Sequence, residues 1–296
     1  MVLSFRSRRM LSFGMFLVIP AVLFSAAFIY PLIETVILSF QQWDGLSPAR
    51  TYVGFANYLQ LLDQPWTRVA FLNNLQWLIY FLFVPTLAGL TIALLLDSDI
   101  RFAYVFRTIF FVPFTITTVA VASIWRWVYR PGTGLMAALF DLVGATPPNW
   151  LGDPQIVNYA IMAASLWAWT GFTFLIYFAG LRNLPVEYIE AARLDGASPW
   201  AILTRIKLPL LWPSTIVVLG IAGVDSMRVF DIVWSMTQGG PFQSSYVLAV
   251  DMYETSFARF RMGEGAAIAV VLTVIAAIVV MPYVYHLSNR LEDVRE

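Results

Sequence analysis

Apolar residues in this chain fall into long unbroken runs separated by short polar segments. A helix that crosses a bilayer needs ~20 mostly apolar residues. Six stretches meet that length, at about residues 10–40, 72–96, 102–128, 157–181, 208–236 and 265–286. None shows the period-two alternation of a membrane β-barrel strand. The pattern therefore predicts an all-α, polytopic membrane protein with six transmembrane helices. Pro20, Pro31, Pro85 and Pro113 fall inside runs. Such breaks are tolerated in a membrane bundle because neighbouring groups satisfy the freed carbonyls.

The segments between runs differ in character. Residues 41–71 are polar and rich in Trp, Gly and Pro, and read as a folded external loop. Residues 131–156 carry Pro131, Gly132, Gly134, Pro147, Pro148 and Pro154 and read as turns. Gln238-Gly239-Gly240-Pro241 opens a third loop. No repeat or low-complexity stretch interrupts the chain. Its organisation is read as a short N-terminus (1–9) and one transmembrane domain (10–296), with a distinctive loop at about 182–208.

Composition agrees. Hydrophobic residues make up 59% of the chain and charged ones 12%, against ~45–50% and ~25% in soluble domains. A water-soluble fold of 296 residues cannot hide that much apolar surface. The formal net charge of zero gives no global field toward nucleic acid. With no cysteine and a single histidine, His286, neither a disulfide nor a thiolate or His-rich metal site can be built. His286 reads as an interfacial helix-end residue.

Basic residues orient the chain. An inside N-terminus puts Arg6, Arg8, Arg9, Arg101, Arg107, Arg182, Arg193, Arg205, Lys207, Arg290 and Arg295 in the cytoplasm. These are eleven of the 18 basic residues, and an even number of spans places both termini there. The first run is too long for a cleaved secretory signal and reads as an uncleaved anchor.

The loop between the fourth and fifth runs carries the most specific pattern. It reads Leu184-Pro-Val-Glu-Tyr-Ile-Glu-Ala-Ala-Arg-Leu-Asp-Gly-Ala-Ser-Pro-Trp200, then Arg205-Ile-Lys-Leu-Pro-Leu-Leu-Trp-Pro213. Pro185 suits a first helical turn, and Glu187 and Glu190 sit near its positive end. Ala191 and Ala192 favour helix and leave a thin face for close approach. Gly196 suits a left-handed helix stop, and Ser198-Pro199 a new cap and first turn. The expected product is a helix, a sharp turn and a second helix. By itself this is either an amphipathic hairpin on the membrane surface or a docking knob for a cytosolic partner.

Glu190-Ala191-Ala192, Asp195-Gly196-Ala197, Ile206, Leu208-Pro209 and Pro213 resemble the loop signature of ATP-binding-cassette importer permeases. Tyr30-Pro31, Trp43-Asp44-Gly45, Val53-Gly54-Phe55, Asn57-Tyr58, Phe106-Arg107, Trp125-Arg126-Trp127, Phe230-Asp231 and Gly239-Gly240-Pro241 extend the likeness over nearly the whole chain. The chain is similar to MalF-like permeases of carbohydrate importers, the family that includes the maltose and glycerol-3-phosphate systems. The resemblance implies the type I importer permease fold in a bacterial or archaeal inner membrane. Glu190, Ala191, Ala192, Asp195 and Gly196 would then form a coupling helix seated in an ATPase subunit. Implied partners are a second homologous permease, two ATPase subunits carrying ATP and Mg²⁺, an extracytoplasmic solute-binding protein, a sugar and membrane lipid. No cofactor is expected on this chain. It has no Gly-x-x-x-x-Gly-Lys-Ser/Thr phosphate loop and no Gly-x-Ser-x-Gly elbow, so no catalysis is expected either.

Two stretches are candidates for solute contact. In the fourth run, Trp167, Trp169, Gly171, Phe172 and Phe174 surround Thr170; resemblance to the maltose permease singles out Gly171 and Phe174. The alternative is that these residues face lipid or neighbouring helices. In the fifth run, Asp225, Arg228 and Asp231 recur at intervals of three, so adjacent members share a helix face. Charges at membrane depth face water or each other. Asp225, Ser226 and Arg228 are therefore either pathway residues for a sugar or polyol, or partly an internal Asp–Arg pair. Where the maltose permease has an aromatic and an amide, this chain has Asp225 and Val229, so its site is not one for maltose. A phosphorylated polyol is the runner-up substrate and would need more positive charge. An ion-coupled transporter acting alone, or a scaffold, would leave the loop signature without a purpose.

Overall fold

The computed structural model describes residues 16–97 and 103–293, with residues 103, 282 and 284–293 described by main chain alone. The expected basic N-terminus at 1–9, the start of the first run, Arg101 and Arg295 lie outside the described residues, as do the side chains of His286 and Arg290. In chain order come helix α1 (Phe16–Ser39), strands β1 (Gln41–Gln42) and β2 (Thr51–Tyr52), and helices α2 (Ala56–Asp63), α3 (Pro65–Leu96) and α4 (Ala103–Thr115). Next are α5 (Thr118–Val128), α6 (Leu135–Leu142), α7 (Val157–Arg182), α8 (Val186–Leu194) and α9 (Pro199–Leu210). The last are α10 (Trp212–Met227), α11 (Asp231–Thr237), α12 (Leu248–Tyr253) and α13 (Met262–Asp293). The only strands among the described residues are the four residues of β1 and β2, paired antiparallel with Gln41 opposite Tyr52.

Four helices are long and apolar enough to cross a membrane: α1, α3, α7 and the Met262–Met281 part of α13. Two bent pairs meet the same length and composition only when taken together, α4 with α5 at 104° and α9 with α10 at 59°. Counting each pair once gives the six expected spans, with two corrections. The third is not one rod over 102–128, because the chain breaks at Ile116–Thr117, where Thr117 is extended (φ −62°, ψ 144°). The fifth does not run over 208–236. Its crossing helix ends at Met227, and Arg228–Phe230 link it to the short α11. Apolar composition continues through the first break, so hydropathy alone does not register it, and the second is marked only by Asp225, Arg228 and Asp231.

The chain divides into two compact units. One runs up to Asp63 and includes Met252–Val271; the other comprises Gln64–Asp251 and the residues from Leu272 onward. In the first unit, Asn57 is buried and its amide donates to the carbonyls of Ser39 (2.8 Å) and Gln41 (2.9 Å), tying α2 to the end of α1.

In the second unit, α3 and α7 form the central pair. A Cβ placed on Gly89 would lie 2.6 Å from the Phe174 nitrogen, so only glycine allows this approach. Pro85 inside α3 cannot donate to the Phe81 carbonyl, and the Thr86 hydroxyl donates there instead (3.1 Å). The Pro85 carbonyl in turn accepts from Thr173 of α7 (2.8 Å). Two other prolines are accommodated differently. The π-helical turns Ser25–Ile29 and Leu203–Lys207 end just before Pro31 and Pro209. A proline ring clashes with the carbonyl four residues earlier, and a widened turn takes up that clash.

Buried asparagines fasten the loop after α11 to this pair. The Asn73 amide donates to the carbonyls of Ser244 (2.8 Å) and Tyr246 (2.7 Å), and its oxygen accepts from Asn158 (3.0 Å). Asn74 accepts from the Leu248 N–H (2.8 Å).

Candidate functional site

The loop after α7 forms the predicted helix–turn–helix. Pro185 stands at the N-cap of α8, one residue outside the expected first turn. Glu187 in the first turn and Arg193 in the last complement the helix dipole. Asp195 is the C-cap, and Gly196 takes φ +77°. The Ala197 N–H bonds to the Ala192 carbonyl (2.9 Å) and the Gly196 N–H to that of Arg193 (3.1 Å). These two bonds form a Schellman stop. Ser198 then caps α9 by accepting from the Ala201 N–H (3.2 Å). No side chain of α8 is buried, and Leu194 and Trp200 are 90% and 72% exposed. Glu190, Ala191, Asp195 and Gly196 are exposed with them, and Ala192 is half-buried. Apolar side chains on a helix too short to stand alone are left for a partner.

The root of the loop is held firmly. Lys207 pairs with Asp97 beyond the end of α3 (2.6 Å). The guanidinium groups of Arg107 and Arg182 lie over the Phe178 ring, at 4.3 and 5.1 Å. The loop's attachment is therefore rigid while its tip is open.

A second feature lies where the third run breaks at Ile116–Thr117 and where α10 gives way to α11 at Arg228–Phe230. A cleft of about 280 Å³ is lined by Ile116 and Thr118 at one break and by Arg228–Ile232 at the other, with Asp225, Phe81, Ser165 and Trp169. Phe81 and Trp169 stand near the middle of α3 and α7, their rings 4.8 Å apart edge to face. Irregular main chain at membrane depth persists only where it lines a cavity or is buried in protein. Among the described residues no ion pair within 4 Å joins Asp225, Arg228 and Asp231. Arg228 and Asp231 are exposed and Asp225 half-buried. Two carboxylates, one guanidinium and aromatic faces around a polar opening suit a neutral, hydroxyl-rich solute.

The structure brings Asp225 and Arg228 to this cleft and leaves the other three solute candidates off it. Ser226 is fully buried, donates to the Gly223 carbonyl (2.7 Å), and lies about 100° round the helix from Asp225. A Cβ on Gly171 would lie 2.6 Å from the Phe110 carbonyl, so this glycine serves the packing of α4 on α7. Phe174, 2% exposed, packs with Tyr177, Leu181, Ala93 and Val218. Ser165, Ala168 and Trp169 line the cleft in their place. Their i, i+3, i+4 spacing marks one helix face, a signal present in the sequence that the resemblance did not single out. Among the described residues no group of three or more His, Asp or Glu gathers as a metal site.

The family described as "Binding-protein-dependent transport system inner membrane component" matches residues 85–292, which include the loop and all of the cleft lining but Phe81. The chain belongs to that family. It is accordingly a multi-pass inner-membrane permease of an ATP-binding-cassette transport system. A probable ABC transporter permease of Pyrococcus horikoshii is 40% identical over 274 residues, covering 90% of this chain and 92% of that protein. An osmoprotective-compound uptake permease of Synechocystis is 38% identical, covering 86% and 91%. Further matched permeases are named for xylose/arabinose, α-glucosides and trehalose/maltose. A chain of a bacterial alginate ABC transporter, solved with an alginate pentasaccharide-bound periplasmic protein, superposes with a TM-score of 0.84 at 22% identity, covering 96% of both chains. That likeness establishes the type I importer permease fold.

Proposed function

We propose that this permease is one half of the translocation pathway of a sugar importer. It pairs with a second homologous permease, two ATPase subunits that bind ATP and Mg²⁺, and an external solute-binding protein. The observation that carries the coupling role is the α8 knob, closed at its C-terminal end by the Gly196 stop and with no side chain buried. Glu190, Ala191, Ala192, Asp195 and Gly196 dock in a cleft of an ATPase subunit, with Leu194 and Trp200 supplying apolar contact. When ATP closes the ATPase pair, the knob moves with its socket. The rigid root at Lys207–Asp97 passes that motion to α3 and α10. The loop and both termini then face the cytoplasm, and residues 10–296 act as one transmembrane domain.

The pathway role of the cleft rests on irregular main chain from two runs meeting there, at Ile116–Thr117 and at Arg228–Phe230, since interrupted helices at mid-membrane are where transporters place solute. Asp225 and Arg228 contact solute hydroxyls, and Trp169 and Phe81 offer ring faces. Relatives named for pentoses, α-glucosides and disaccharides support the sugar class. Two carboxylates beside one guanidinium disfavour a phosphorylated polyol.

Substrate-stimulated ATPase activity of the reconstituted complex tests this reading. We expect stimulation by binding protein loaded with one neutral sugar class, and a drop of about tenfold or more in Glu190→Lys, as for a reversed charge at a docked contact. Undiminished stimulation in Glu190→Lys would remove the docking role.

A further inference from the structure

Outside the Asp225 cleft, the first compact unit holds a second cavity of about 240 Å³, walled by β1, the Trp43–Asp44 turn, α2 and the start of α13. Trp43, Gln60, Phe260, Arg261 and Glu264 are the chemically active part of its lining. Glu264 is only 8% exposed. Its Oε1 pairs with Arg261, but its Oε2 is buried and has no hydrogen-bond partner. A buried carboxylate oxygen without a donor is costly, and such atoms are rare in native structures. The Arg261 guanidinium also reaches the Gln60 Oε1 (3.5 Å) and stays partly open.

The surrounding geometry is fixed in advance. Trp43 is clamped by its Nε1 donating to the Ser47 carbonyl (2.7 Å) and by Arg50 4.4 Å from its ring centroid. Phe260 is half exposed at φ +53°, a conformation rarely tolerated by an aromatic residue and concentrated at functional sites. Bonds on either side hold it there, from the Arg259 N–H to the Glu254 carbonyl and from the Arg261 N–H to that of Thr255, both 2.9 Å. The Asp44 carboxylate is spent on the Leu46 and Ser47 N–H groups and the Ser47 hydroxyl, so it builds the wall and leaves ligand contact to others.

The geometry points to a second carbohydrate subsite in this cavity, separate from the Asp225 cleft, taking a neutral sugar with hydroxyls that donate to Glu264 and accept from Arg261. An anion would meet Glu264 and a cation would meet Arg261; a polyhydroxyl ligand satisfies both. Trp43 and Phe260 give its C–H faces ring surface. The subsite rests on the sugar-import reading. Residues 40–64 and 238–261 join the first to the second span and the fifth to the sixth.

The chain has no native cysteine, so Leu59→Cys, on the exposed side of α2, accepts one trifluoromethyl label. Fluorine NMR of the assembled complex in nanodiscs is titrated with trehalose, maltose and xylose, and with glucuronate as charged control. We expect a saturable shift with at least one neutral sugar, weakened about tenfold or more in Glu264→Gln, as for losing a bond to a charged group, and weaker with glucuronate. Stimulation of ATPase activity by sugar-loaded binding protein is read on the same samples. Normal stimulation with a label that never moves, or with a shift unchanged in Glu264→Gln, overturns the subsite and leaves the import reading standing. Failure of stimulation in unlabelled complex overturns the import reading itself, and the subsite with it.

Discussion

Gly196 gives the sharpest test of the docking loop. Its φ of +77° is reserved mostly for glycine, and an added Cβ there meets nothing within 4 Å. Gly196→Ala therefore introduces no clash; its whole effect is the backbone cost of a left-handed alanine, about 1–2 kcal/mol. At 1.4 kcal/mol per tenfold change, that lowers the weight of the docking-competent loop by about 5- to 30-fold against its alternatives. Where the alternatives then dominate, apparent affinity for the ATPase subunit falls by the same factor. Gly196→Asn should recover most of it, because asparagine tolerates the left-handed region. The assay is a titration of labelled ATPase subunit into the two variants and the parent chain in nanodiscs, with thermal stability measured alongside. The membrane bundle should melt unchanged, since α8 has no buried side chain and Gly196 is exposed. Alanine binding as tightly as glycine, or asparagine no better than alanine, would refute the reasoning.

Packing and pathway residues should separate cleanly. Phe174→Ala should lower stability by about 3–5 kcal/mol, read as a drop in melting temperature. Asp225→Ala should leave the melt within about 0.5 kcal/mol of the parent and change solute rate or selectivity. Asn73→Ala removes three hydrogen bonds at 2.7–3.0 Å; at about 0.6 kcal/mol each in a membrane protein, the expected loss is about 2 kcal/mol in a detergent-unfolding titration. The Asp44 carboxyl is held down at about 2 by the Ser47 hydroxyl first, then by the Ser47 and Leu46 N–H groups. A depressed carboxyl pKa stabilises above its unfolded value of 3.8 and loses that stabilisation as pH falls through about 2. Hydrogen-exchange protection at Leu46 and Ser47 should thus persist at pH 4 and fade toward pH 2.

Much of the architecture is legible in the residues. Run length alone located α7 and the crossing part of α13 to within a few residues and the end of α3, whose start lies seven residues before the expected 72, because lipid demands ~20 apolar positions and each run supplies them. Local chemistry located the α8 turn, since Gly196 and Ser198-Pro199 are stop and start signals with a backbone cause. The two broken spans were not legible. An apolar run records solvent preference and carries no direction of main chain, so 102–128 and 208–236 read as rods. The cleft follows from those breaks, which is why its lining was only half visible. Asp225 and Arg228 were found because charge in an apolar run is conspicuous. Ser165 escaped notice because a lone serine in a helix has many roles. Gly171 and Phe174 drew attention through resemblance, but three-residue spacing puts them on one face, and that face turns toward α4 and the core. The Asn73–Asn158 network joins residues 85 positions apart, and no local pattern announces it.

The most direct test of the account is ATP-driven uptake of radiolabelled sugars into proteoliposomes holding the complete complex, with binding protein outside and ATP inside. The account predicts accumulation of a neutral sugar against its gradient that requires ATP, collapses in Glu190→Lys, and changes its solute preference in Asp225→Ala. Uptake that proceeds without ATP, or that is indifferent to both substitutions, would contradict it.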